Sequence, residues 1–125
     1  MILTALMLLQ SAAAIDCEDS MTQSDMNWCA AQDYKRADEA LNRQWSATAA
    51  EMKRRDARGP DDGRPGYFQT LLDAQRAWLT YRDAHCRSEG FYARGGSLEP
   101  LLVATCKTDL TEARTEQLAS LAEDI

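Results

Sequence analysis

Hydrophobic positions recur along this chain at helical intervals, and nowhere over a useful length at the two-residue interval of a half-buried strand. From Met26, the series Ala30, Tyr34, Ala37, Leu41, Trp45, Thr48 and Met52 steps by fours and threes. That spacing predicts one stripe along a helix of about eight turns. Thr22 with Asp25 forms a capping box that opens it, and Arg58-Gly59-Pro60 stops it. Lys53, Arg54, Arg55 and Arg58 then fall at the negative end of the helix dipole, a solvated placement that fits better than a nucleic-acid patch. Residues 59–66, rich in glycine, proline and aspartate, read as a connection of a length suited to an antiparallel helix hairpin. They lack the alternating acids and closing glutamate of an EF-hand, so no calcium loop is read there.

A second helix is predicted over 67–89. Leu71, Gln75, Trp78, Arg82 and His85 share one face, with Phe68, Leu79 and Cys86 beside them. Arg82 stands in the middle of that apolar face, where a cation must find an anion or destabilise the fold. Asp38 lies inside the first stripe and Asn42 borders it one turn on; Asp38 is the candidate counter-ion. After a second connection over 88–96, Ser97 is expected to cap a third helix that tolerates Pro100 in its first turn. Leu98, Leu101, Leu102 and Thr105 form its inner side. Around 107–111 the pattern restarts with Leu110, Ala113, Arg114, Gln117, Leu118 and Leu121, which predicts a kink or break, with a helix that runs on as the alternative. Arg114 repeats the anomaly of Arg82. The expectation is an all-α, disulfide-stapled bundle of three to four helices, its long first helix packed antiparallel on the second.

The 125 residues suffice for one domain with a real core. A net charge of -6 argues against non-specific nucleic-acid binding and would steer cationic partners toward the chain. Residues 2–9 are apolar but too few to span a bilayer, and Ala12, Ala13 and Ala14 suit cleavage by a signal peptidase. Residues 1–14 are therefore expected to be a signal peptide and 15–125 one helical domain, periplasmic or secreted. No lysine or arginine precedes the apolar run, which implies either a true start further upstream or reliance on the terminal amine. Asp16 stands where a lipobox needs a small residue, so Cys17 reads as a disulfide partner.

The four cysteines, Cys17, Cys29, Cys86 and Cys106, form no Cys-x-x-Cys pair and point to two disulfides in an oxidising compartment. Three pairings are open. The geometry of a leader folding back over Trp28, and of a return through the second connection, favours Cys17 with Cys29 and Cys86 with Cys106.

Asp38, Asn42, Gln75, Arg82 and Arg114 bring polar groups to inward stripes of three segments. They read either as a site for a small anion or as a buried network that aligns the helices; the structural reading is preferred. His85 adjoins Cys86, but neighbouring helical residues diverge by about 100° and do not form a nucleophile pair. No hydrolase elbow, phosphate loop, dinucleotide glycine pattern or zinc-protease motif is present, so neither catalysis nor a cofactor nor a metal is expected.

Cys17, Thr22, Cys29, Tyr34, the run Asp38-Glu39-Ala40-Leu41-Asn42, the run 74–83 with Cys86, Gly96-Ser97, Cys106, Leu110-Thr111, Arg114 and Leu118 together resemble the lysozyme inhibitor LprI-like family. The resemblance runs from Cys17 to about Leu121 and is most specific in Ala-Gln-x-x-Trp-x-x-Tyr-Arg-Asp-x-x-Cys. It implies a small helical, disulfide-bonded periplasmic or extracellular domain. It also implies a non-catalytic binding module directed at lysozyme-type muramidases. The alternative is an envelope-associated domain that binds another protein or a small ligand. Phe91, Tyr92 and Arg94 are the candidate partner-binding residues, facing a cationic lysozyme or another envelope protein, although aromatics at this place are more often packed over the helix ends.

Overall fold

The computed structural model describes residues 14–20 and 22–123. Among these, three helices carry the architecture: α1 (Gln23–Arg58), α2 (Tyr67–Gly90) and α3 (Glu99–Ala122), with a single 3-10 turn at Phe91–Ala93. Residues 1–13 of the expected signal peptide lie outside the described residues. No described helix is long and apolar enough to cross a membrane.

Cross-links between helices fix their directions. Asp56 on α1 meets Tyr67, and Asp38 meets Arg82, so α2 runs antiparallel to α1. Asn27 donates to the Ser97 carbonyl at 2.9 Å, Thr48 to that of Leu118 at 2.8 Å, and Arg55 to that of Glu123 at 3.2 Å. These pairs rise together in number, so α3 lies parallel to α1. The first helix has its longest seam with α3, and its expected contact with α2 is the shorter one.

The α1 stripe buries Ala30, Ala37, Leu41, Thr48 and Met52 as its spacing predicts. Leu41, Met52, Leu71 and Leu118 form the core, flanked by the partly buried Trp45, Phe68 and Trp78. Two threonines sit fully inside, and both are satisfied. Thr48 accepts from Gln44 and donates to Leu118, while Thr111 accepts from Arg82.

The expected break near 107–111 does not occur, and α3 is continuous. Its inner face changes because it touches two neighbours in turn. Cys106 and Thr111 reach α2, whereas Leu118 reaches α1. Nor does Ser97 cap α3: Leu98 occupies that position with no side-chain bond, and Glu99 turns back to accept from the Gly95 amide. Gly90 marks a close approach of α2 to α3, since a Cβ there would lie 2.5 Å from Val103 Cγ2.

The hairpin between α1 and α2 closes in an unexpected way. Gly66, at the N-cap of α2, has no side chain to bond the free amides. The Asp56 carboxylate supplies both bonds instead, accepting from the amides of Tyr67 (2.6 Å) and Phe68 (3.2 Å). A Cβ on Gly66 would come within 2.7 Å of that carboxylate, so glycine is needed for the approach. Asp56→Ala is expected to lower stability by about 1–2 kcal/mol, seen as a lower urea midpoint at unchanged slope. An unmoved midpoint would show that water caps these amides equally well.

Cys17 and Cys29 are bonded, which ties residues 14–20 to the start of α1. That segment does not cover Trp28, which remains 47% exposed. The second disulfide joins Cys86 to Cys106 across α2 and α3.

Candidate functional site

The polar residues singled out from the sequence fall into two separate clusters. In the first, Arg82 is buried between all three helices, its side chain 7% exposed. Its nearest acid is its own neighbour: Nε donates to Asp83 Oδ1 at 3.0 Å. Asp38, the expected counter-ion, stands further off at 3.9 Å. Nη1 also donates to Thr111, and the guanidinium lies 5.1 Å from the Trp78 ring centre and 5.4 Å from that of Tyr34. Lys107 completes the group, 3.9 Å from Asp83 and 5.5 Å from the Tyr34 ring centre.

The two carboxylates are 41% and 47% exposed, so the cation alone is removed from water. The network is thus buried at its cation and open to water at its acids. Burial raises the Tyr34 pKa; Arg82 opposes the rise, while Asp38 and Asp83 add to it. The Tyr34 ring serves as a face for the two cations. The arrangement clamps three helices together.

Asn42 belongs to neither cluster. It is exposed, and only its backbone carbonyl is engaged, by Ser46. Its place beside the stripe put it just past the buried face. Three arginines of the basic run at the end of α1 share one acid. Glu51 accepts from Arg54 at 2.9 Å and Arg55 at 3.2 Å, and Arg58 reaches it at 3.5 Å. Those bonds hold the Glu51 carboxyl below the usual carboxylate range.

The second cluster is Gln75 and Arg114. Arg114 Nε donates to Gln75 Oε1 at 2.9 Å and Nη1 to Gln117 Oε1 at 3.2 Å. Its third nitrogen, Nη2, is enclosed without a hydrogen-bond partner. Burial lowers the Arg114 pKa. This side chain lines a cleft of about 720 Å³ at the end of the bundle where α1 turns into α2.

His85 shares a 3.0 Å hydrogen bond with Glu89 and stacks on Tyr81. The sulfur of Cys106 lies within 4.8 Å of both ligand atoms, but it is consumed in the disulfide. What is left is an ordinary helix pair four residues apart.

At the opposite end from the cleft, the 3-10 turn projects from the junction of α2 and α3. Tyr92 is 88% exposed. Phe91 is 44% exposed and carries the Arg94 guanidinium 4.4 Å above its ring centre. The three residues make one aromatic and cationic surface, set on helices that the Cys86–Cys106 bridge joins.

The family model described as "Lysozyme inhibitor LprI" matches residues 15–118. The chain belongs to the LprI lysozyme inhibitor family. An uncharacterised protein of Rhizobium meliloti (strain 1021) is 44% identical over 110 residues, covering 86% of this chain and 79% of the relative. No solved structure matches.

The LprI match spans both disulfides, the Arg82 cluster, Arg114 and the exposed turn. Sequence reasoning reached Arg82 and Arg114 through their anomalous places in apolar stripes. It missed Asp83, Lys107, Thr111 and Tyr34 as partners of Arg82, because none shares a stripe anomaly with it. It also missed the cleft, which forms where the end of α3 closes over the hairpin of residues 52–74.

Proposed function

We propose that this chain is exported to the periplasm or beyond and acts there as a non-catalytic inhibitor of a lysozyme-type muramidase. Membership of the LprI family carries the reading. The net charge of -6 supports it, since an acidic chain gains encounter rate with a cationic enzyme. Two disulfides and an apolar N-terminal run support export.

Phe91, Tyr92 and Arg94 are the contact surface in this proposal. Tyrosine and arginine are the residue types most often found at the energetic centre of interfaces. Tyr92 leaves most of its ring in water in the free chain, so docking it in a cleft removes much apolar area. The short turn also holds these side chains at low entropic cost.

Adding the oxidised chain to a cationic lysozyme is expected to slow cell-wall lysis in a dose-dependent way, less so at high salt. Tyr92→Ala is expected to weaken inhibition by roughly tenfold or more, with the circular dichroism unchanged. Unaltered lysis at large molar excess, across a panel of lysozymes, rejects the proposal. Full potency in the Tyr92 variant moves the contact surface elsewhere.

A further inference from the structure

We infer that the cleft at the other end of the bundle is a binding site for a small apolar carboxylate, with Arg114 as its anion-recognising side chain. The inference stands apart from the lysozyme reading, because it concerns different residues at the opposite pole.

The cleft, about 720 Å³, lies between the last turns of α1 and α3, the 59–66 connection and the start of α2. That volume falls within the usual range for small-molecule pockets, and the lining mixes apolar walls with a few polar groups as such sites do. Met52, Leu71, Ala74 and Leu121 supply apolar wall. Five charged residues line it, Arg55, Arg64 and Arg114 against Asp56 and Asp62, which leaves one positive charge in excess on a chain of net charge -6.

Four of the five are already engaged. Asp56 caps α2, Asp62 pairs with Arg64 at 2.5 Å, and Arg55 pairs with Glu51 at 3.2 Å. Arg114 is different. Its partners Gln75 and Gln117 are neutral, and Nη2 has none. Among the described residues it is the one cation below full exposure with no acid within 4 Å.

A guanidinium drawn out of water without an anion is destabilising, and its planar fork matches a carboxylate through two parallel bonds. The existing contacts show how an acid would be received. Gln75 is buried and holds Nε, which fixes the stem of the fork. Gln117 is exposed and holds Nη1 by a single bond. An incoming carboxylate displaces the Gln117 amide, and a small rotation then presents Nη1 and Nη2 together. The tail of the acid lies along Met52, Leu71 and Leu121. Two sources carry this chemistry, a free acyl acid and the C-terminal carboxylate of an apolar peptide.

Calorimetric titration of the full oxidised chain separates them, using octanoate against octanol and N-acetyl-dileucine against its C-terminal amide. Octanoate is expected to bind roughly tenfold tighter than octanol, and Arg114→Gln to bring the two level. Arg114→Lys keeps the charge without the fork and is expected to fall between. Gln117→Ala, which removes the competitor, is expected to bind the acid at least as tightly as the unaltered chain. If N-acetyl-dileucine alone shows this dependence on its carboxylate, the source is a peptide terminus. Amide shifts induced by octanoate in the unaltered chain are expected at Thr70, Ala74 and Leu121, a readout that survives misfolding of any variant. Tyr92→Ala is expected to leave all of this unchanged. Equal affinity for the acid and its neutral counterpart in both pairs, no binding of either acid, shifts by the acid that binds confined to other regions, or an Arg114→Gln variant that is folded and binds that acid normally would each overturn the site.

Discussion

Replacing Cys86 and Cys106 together by alanine is expected to lower the unfolding free energy by about 3–5 kcal/mol, the larger loss of the two disulfides. Both residues are buried, at 0% and 5% exposure, and the bridge closes a separation of 20 residues between α2 and α3. The buried apolar core centres on four side chains, so the staple carries an unusual share of the stability. The Cys17–Cys29 bridge closes 12 residues and restrains a mainly exposed segment at one end of α1. On chain entropy alone the two loops differ by only about 0.5 kcal/mol. The contrast expected here comes instead from what each bridge holds in the native state. Urea unfolding of the two double variants measures it. Equal losses would show that the α2–α3 junction holds without its bridge.

Arg82→Ala is the largest single change expected from a charged residue, at about 2–4 kcal/mol. It removes contacts to Trp78, Tyr34 and Thr111 and leaves space at the junction of three helices. The figure stays below that for a sealed ion pair because the two acids left behind are half in water and can be rehydrated. Asp83→Ala is expected to cost about 1–2 kcal/mol, through the 3.0 Å bond to Nε and the contact with Lys107. Asp38→Ala is expected to cost less than about 1 kcal/mol, since its 3.9 Å contact is long and solvent-screened. The order is the test, read from thermal or urea unfolding. A loss for Asp38→Ala greater than that for Asp83→Ala would make the long-range pair the dominant one.

Periodicity made α1 legible almost residue by residue, because one long stripe against two neighbours needs no knowledge of either. It also flagged Arg82, since charge is conspicuous where apolar residues repeat. The identity of its acid was not legible. A neighbour on the same helix points about 100° away, yet a long side chain can bend its Nε back to that carboxylate. The apparent break in α3 had a similar origin: a helix that serves two partners in succession changes its stripe without changing its backbone. Asp56 capping α2 from the preceding helix depends on the path of the hairpin, and no local pattern encodes that path. The cleft stayed invisible for the same reason, while its one unpaired arginine did not.

Both sulfur links are local, one within the first half of the molecule and one within the second. Among the described residues, no covalent tie other than the 59–66 peptide joins α1 to α2 and α3, and most of that stretch is exposed. A single proteolytic nick there is expected to give two separately stapled fragments held together by the noncovalent packing of α1 on α3 and α2.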